Sequence, residues 1–395
     1  MSWTRRLAPE PPVVTPDLLA RARLTAVPND AIEAERGGVW LEAALREVVT
    51  GYLEPRAVPS DAVTTPDAGR IREALAFLQD RVLGSDRFDP GGPNASLARV
   101  AATIATAAWS DMSVAFTLWC HRMVLEYLWS APADSVLRTE VLSRMARAEV
   151  LGSTALAAAM AHFVARTPVP IRWREESGAI VLDGRVNWAS NLFPPDFVMV
   201  TAAAHVDDGR VLIVALPGDA PGVSIDPYPR LLALQATGSS SVGLRAVRVG
   251  WESVVADEFV PFVTRVRPAF LLLQTSFCFG LAARALTEAR AAVRGPNEVF
   301  HDDLEALEAR AAGLAGVLGL RLSDRGGGVP IRNLVELRLD SAQLATAAVA
   351  LEAKLAGGRG YVMASPTARR LREAAFLPVQ APTEGQLRWE LSRSA

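Results

Sequence analysis

The chain has 395 residues, half of them apolar, with 41 basic against 43 acidic side chains and only two cysteines. A chain of this length buries more than a single core normally organises, so two or three packed parts are expected. The formal net charge of −2 excludes a global field for nucleic acid or an anionic membrane, and Cys120 and Cys278, far apart in apolar runs, exclude a disulfide framework and read as buried thiols of a reducing, cytoplasmic compartment.

The opening MSWTRRLAPEPPVV carries early arginines with no apolar run behind them and prolines at 9, 11 and 12, so no signal peptide is expected. From 16 to 129 the Ala, Leu and Arg spacing is helical, with turn signals at Pro28-Asn29, Pro66-Asp67 and the DPGGP at 89–93. Strong helix formers continue over 135–166, interrupted by Gly152-Ser153-Thr154, which reads as a turn into a different layer. The most apolar stretches, around 100–129 and 270–286, are broken by Asp111, His121, Arg122, Gln274 and Arg284 and read as core helices, not membrane spans.

After Thr167 the texture changes. IRWREES, AIVLDGRVNWAS, DFVMVTAAAH, GRVLIVALP and SVGLRAVRVGW are β-branched, partly alternating runs separated by Asp183-Gly184, Asp207-Asp208-Gly209 and Pro217-Gly218. They predict a small antiparallel β-domain over about 168–255. Helical period then returns at 267–293, 302–320 and 341–355, the last ending at Gly357-Gly358. Two further helices have readable starts: Ser365 before Pro366 is an N-cap ahead of a first-turn proline, and Thr383 with Gln386 has capping-box spacing. The expected organisation is α+β: a helical domain over 1–150, a middle β-domain over 151–255 and a C-terminal helical bundle over 256–395.

Several local patterns fall in the order of one known family. GGPNASL followed by SDMSVAFTLWCHRM, LDGRVNWASN, LQATGSSSVGLRAVRV, GLAARALTEAR and GGRGYVMASPTARRLREAA resemble the corresponding segments of the acyl-CoA dehydrogenase family. The resemblance spans most of the chain from about Gly91, and its last block is the most specific. It implies a four-helix C-terminal bundle and a bound flavin, FAD in the first instance, with FMN or a reduced flavin supplied by a partner reductase as alternatives. An isoalloxazine ring needs an aromatic wall, hydrogen-bonding groups and close backbone approach. Carried over by position, Trp188 and Ser190 would lie beside the ring, Gly357, Gly358 and Gly360 would form the glycine loop, and Thr383 would stand in the triplet after the arginine helix. Gly152, Ser153 and Thr154 are what remains of the family's loop before the β-domain, and Arg294 is the candidate diphosphate partner. Alone, the glycine loop reads as a helix C-cap and Trp188 as a sheet-core residue.

Two departures bear on the reaction. Abstraction of an α-proton from an acyl thioester needs a carboxylate, and where many family members have Glu-Gly-Thr this chain has Ala381-Pro382-Thr383. The alternative position on the long bundle helix, 268–271, holds no acid either. Glu384 is the candidate substitute, its bland reading being a first-turn acid favoured by the helix dipole. Glu373 reads as structural. The resemblance extends to flavin-dependent monooxygenases that take reduced flavin from a reductase and need no α-proton base. On that reading His121 is the candidate assisting group, against the bland reading of a satisfied core histidine. Asp111 and Ser113 have N-cap or turn roles as their bland reading. Arginines 369, 370 and 372 read as phosphate ligands or as a salt-bridged face. His162, His205 and His301 have no cysteine or acid at ligand spacing, so no metal is expected.

Three functions follow: a flavin-dependent dehydrogenase acting on an acyl thioester, a two-component flavin monooxygenase, and a catalytically silent family member serving as a subunit or binding module. A small-molecule substrate such as an acyl-CoA, a homodimer or homotetramer, and an electron-transfer flavoprotein or flavin reductase are the partners implied, with no nucleic acid.

Overall fold

A computed structural model describes residues 39–61, 66–83 and 97–393. The opening segment, the turn at 28–29, the DPGGP turn and most of GGPNASL lie outside the described residues.

The N-terminal part contains α1 (Ala43–Asp61), α2 (Ala68–Leu78), α3 (Leu97–Ser110), α4 (Met112–Leu128) and the short α5 (Leu142–Ala146). Asp67 caps α2 by accepting from the Arg70 N–H at 3.2 Å. Asp111 caps α4, its Oδ1 accepting from the backbone N–H groups of Ser113 at 2.9 Å and Val114 at 3.2 Å. Both satisfy amides that a helix start leaves without partners. Every residue of α4 is buried, as expected of a helix enclosed on all sides.

The strands are β1 (Leu151–Ala155), β2 (Ile171–Glu176), β3 (Ala179–Ala189), β4 (Phe197–His205), β5 (Val211–Pro217), β6 (Val223–Ile225), β7 (Ser240–Val249) and β8 (Val254–Ala256), with α6 (Ala157–Ala165) between β1 and β2. They form one sheet in the order β6-β7-β3-β2-β4-β5-β8, and β1 joins β4. The five strand runs read from sequence are all present. The Gly-Ser-Thr interruption is not a turn: it is β1, paired in parallel with β4 from Leu151↔Phe197 to Ala155↔Thr201. Its stability depends on a strand 46 positions on, which local pattern does not reveal. β2 also meets β4 in parallel, through Arg172↔Ala204 and Trp173↔His205, so the middle sheet is mainly but not wholly antiparallel.

The C-terminal part comprises α7 (Phe259–Ala292), α8 (His301–Ser323), α9 (Ile331–Ala356), α10 (Pro366–Phe376) and α11 (Glu384–Arg393). α7 and α9 begin earlier than their apolar period suggests. Pro268 sits inside α7 and makes its first turns read as a break. α7 is long and apolar enough to cross a membrane, but 89% of its most apolar window is buried within the protein. It crosses α3 at Gly280, where a Cβ would stand 2.1 Å from the Ala105 carbonyl oxygen. The expected caps are made. Ser365 Oγ accepts from the Ala368 N–H at 3.0 Å. Thr383 N–H donates to Gln386 Oε1 at 2.7 Å while Thr383 Oγ1 accepts from the Gln386 N–H at 3.2 Å. Cys120 and Cys278 are buried free thiols.

Candidate active site

Where α4, the sheet, α6 and α10 meet, a cleft of about 670 Å³ opens, a size usual for a small-molecule or cofactor site. Its floor is aromatic. Trp119 on α4 meets Phe270 on α7 edge-on at 5.1 Å, and Phe116 meets Phe376 on α10 edge-on at 5.0 Å. The indole Nε1 of Trp119 is buried with no hydrogen-bond partner.

The β3–β7 ladder shifts register between Val186 and Ala189, and the two residues in the gap, Asn187 and Trp188, both line the cleft. A bulge re-aims side chains in this way. Trp188 is 59% exposed, so it is a wall of the cleft and not a member of the sheet core. Beside it runs an arc of hydroxyls: Ser190 Oγ lies 2.6 Å from Ser239 Oγ, which lies 2.6 Å from Thr237 Oγ1, which donates to the Leu234 carbonyl at 2.8 Å. Thr154 Oγ1 sits 3.3 Å from the Tyr127 hydroxyl. Cys120 also lines the cleft, and burial pushes its thiol well above the ordinary range.

A layer of clamps holds this wall. Fully buried Asn191 donates from Nδ2 to the carbonyls of Thr117 and Gly152, each at 2.9 Å. His121 accepts from the Gly152 N–H on Nδ1 at 3.0 Å, so its proton is on Nε2, which faces the Met145 carbonyl at 3.0 Å. Burial, with a smaller contribution from Arg122, lowers this imidazole from 6.5 to about 4. Gly152 leaves no room for a side chain: a Cβ would lie 2.6 Å from Met145 Cε and 2.7 Å from Val124 Cβ. His121, Gly152 and Ser153 therefore stand behind the cleft, and only Thr154 of the β1 trio lines it.

Ala381 and Thr383 line the opposite side. The Ala381 carbonyl accepts from Gln274 Nε2 at 2.9 Å and Gln380 Nε2 at 2.8 Å. Among the described residues lining the cleft there is no Asp, Glu, His or Lys, and the one formal charge is Arg372. Glu384 is not at the cleft. Its Oε1 accepts from Arg388 Nε at 2.7 Å and from Gln343 Nε2 at 3.5 Å. An adjoining cavity of about 380 Å³ shares Ala161, Phe270, Thr383 and Gln386 with the cleft and includes Glu390, which is ion-paired with Arg267.

Arg294, Gly357, Gly358 and Gly360 are not among the lining residues either. Arg294 is exposed beyond the end of α7, and Gly357 takes φ +58° as the C-cap of α9, its bland reading. The arginine helix divides: Arg369 donates to the Ser110 carbonyl at 2.9 Å and pairs with Glu373, and Arg370 is bidentate to Glu352. These two bind α10 to its neighbours, and Arg372 alone reaches the cleft. The remaining histidines act locally: His162 faces the Thr167 carbonyl, His205 faces Asp208 and His301 faces Glu305.

No family profile and no curated protein matches the chain. Solved structures do. Butyryl-CoA dehydrogenase from Megasphaera elsdenii is 15% identical over 89% of this chain and 96% of its own, with a TM-score of 0.78. The chain has the acyl-CoA dehydrogenase fold. A glutaryl-CoA dehydrogenase from Mycobacterium smegmatis, in complex with FADH2, is 17% identical over 89% of this chain and 92% of its own, TM-score 0.75. FkbI, for biosynthesis of the methoxymalonyl extender unit of the polyketide Fk520, is 17% identical over 88% and 98%, TM-score 0.71.

On this acyl-CoA dehydrogenase fold the residues present fit a flavin ring: an aromatic floor, an exposed Trp188 wall and a run of hydroxyls. Sequence reasoning missed Trp119, Asn191, Ser239 and Gln380. The first sat beside the singled-out His121 and the second ended a quoted motif. Ser239 sits within the LQATGSSSVGLRAVRV segment, but that pattern does not say which of its hydroxyls faces the cleft, and Gln380 gave no signal, because only the fold brings it to this wall.

Proposed function

We propose that the protein is a flavin-dependent oxidoreductase whose cleft supplies no side chain to abstract an α-proton. The observation that carries this is the composition of the cleft: flavin-compatible walls with no carboxylate or imidazole among the described lining residues. Trp188, Ser190, Thr154 and Thr383 are the lining residues that would hold the ring, which when bound supplies two-electron redox chemistry. The aromatic floor excludes water from beneath it, and the Ser190–Ser239–Thr237 run holds hydroxyl protons at one edge of the cleft. Arg294 and the glycine loop lie outside this cleft, and the family resemblance implies that Arg294 would meet the diphosphate of FAD held by a second copy of the chain. A homo-oligomer fits that need. The two buried free thiols suit a cytoplasmic setting.

Between the two redox chemistries, the absence of a base favours oxygenation by reduced flavin delivered from a reductase, for which no α-proton is removed. Dehydrogenation of an acyl thioester is the second reading. It is supported by the fold's likeness to butyryl-CoA dehydrogenase and by the adjoining cavity, which extends the room for an elongated ligand.

The deciding experiment is an anaerobic titration of flavin-loaded protein with acyl-CoAs of several chain lengths, followed by oxygen consumption with NADH and a flavin reductase. Unbleached flavin with reductase-dependent oxygenation is expected. Bleaching by an acyl-CoA would overturn the preference for oxygenation, and a protein that takes up neither FAD nor FMN, oxidised or reduced, would overturn the flavin reading and leave a binding module.

A further inference from the structure

Behind the Ala381 side of the cleft lies a positive charge with no counter-ion. Arg338, on α9, is fully buried. Its Nε donates to Gln274 Oε1 at 3.2 Å, its Nη2 donates to Gln380 Oε1 at 2.8 Å and to the Leu377 carbonyl at 3.4 Å, and its Nη1 has no partner. Among the described residues no carboxylate forms an ion pair with it. Every other buried arginine of the bundle end is matched: Arg267 by Glu390, Arg369 by Glu373 and Arg370 by Glu352. Its guanidinium carbon also lies 5.8 Å from the centre of the Phe277 ring, but an ionised group buried against neutral acceptors and an aromatic face is still expensive to keep, and the expense is repaid if a ligand brings the missing negative charge.

The neighbouring amides show where that charge would sit. Because Gln380 Oε1 accepts from Arg338, the orientation of this amide is fixed, and its Nε2 is the donor. One Nε2 proton goes to the Ala381 carbonyl. The amide carries a second, and Gln380 lines the cleft. That N–H is a donor backed by a full positive charge. The adjacent Ala381 contributes only a methyl group to the wall, and the one formal charge lining the cleft, Arg372, is also positive.

We infer that the cleft takes a ligand carrying its own carboxylate, held against Gln380 and Ala381 with Arg338 as the counter-charge. Arg338 does not line the cleft, and its role is to position Gln380 and to set the sign of the local field. This rests on the reading of the cleft as the ligand site and not on the flavin.

The test uses octanoate and octanamide, matched in length and differing in charge, titrated into the purified protein and followed by quenching of tryptophan fluorescence, since Trp119 and Trp188 line the cleft. Octanoate is expected to bind at least about tenfold more tightly than octanamide. Gln380→Leu should reduce that ratio to roughly twofold or less, and Ala381→Glu, which supplies the chain's own carboxylate, should invert it. Arg338→Met should also abolish it, and if that variant does not fold, the other two keep the test intact. Octanamide binding as tightly as octanoate, octanoate failing to bind, or Ala381→Glu retaining the native preference overturns the inference. Flavin uptake measured on the same samples separates the two readings: a carboxylate preference without flavin uptake removes only the flavin, and flavin uptake without the preference removes only this proposal.

Discussion

His121 is committed on both ring nitrogens, accepting from Gly152 on one and facing the Met145 carbonyl with the other. Its role is to hold α4 to β1, and that role is sensitive to pH. The unfolded chain takes up this proton near 6.5 and the folded chain only near 4. The unfolded state therefore binds more protons across that window, and folding stability falls as pH falls through it, by about 3 kcal/mol at the limit. Urea midpoints at pH 7 and pH 4.5 should show this loss, and His121→Gln, which cannot take up the proton, should show a smaller one. Trp188 behaves oppositely. Being 59% exposed, its change to Ala should move stability by no more than about 0.5 kcal/mol while weakening flavin binding about tenfold. A tenfold loss unaccompanied by unfolding places Trp188 at the ring, and unchanged affinity removes it. Of the residues nominated from sequence, Trp188, Ser190, Thr154 and Thr383 reach the cleft, because short motifs fix which side chains a hairpin or cap presents. Glu384 was nominated by nearness to Ala381 along the chain, but α11 turns its carboxylate to Gln343 and Arg388.

At the scale of elements, caps were the most legible feature, since their chemistry is complete within four residues. Ser365→Ala should cost about 1 kcal/mol and leave flavin uptake unchanged. Thr383→Ala should cost a similar amount and also lower flavin affinity, because this residue both caps α11 and lines the cleft. Calorimetry paired with flavin titration distinguishes the two. β1 was the least legible element: Leu-Gly-Ser-Thr-Ala has little strand character of its own and is a strand because β4 pairs with it. Its glycine is held to the fit against α4, so Gly152→Ala should destabilise by about 1–3 kcal/mol through overpacking onto Val124 and Met145. The register shift that presents Asn187 and Trp188 together was equally invisible, since a bulge is a property of two strands and the sequence shows one at a time.

At the scale of the molecule, the order of helical, sheet and helical parts was readable because the apolar period changes from helical to alternating and back. The way the parts interlock was not. β1 leaves the helical part and joins the sheet beside β4 before α6 carries the chain on to β2, while α4 lies enclosed between that strand and α7. This has a consequence for synthesis. As the chain emerges, α4 has α3 against it, but the face that α7 covers stays exposed until α7 has been made, more than 130 residues later. Pairing that spans such separations is slow. A fragment ending at residue 150 is expected to aggregate and not to persist as an independent helical domain, which sedimentation of that fragment would show. Until α7 emerges the growing chain carries exposed apolar surface of the kind that chaperones shield.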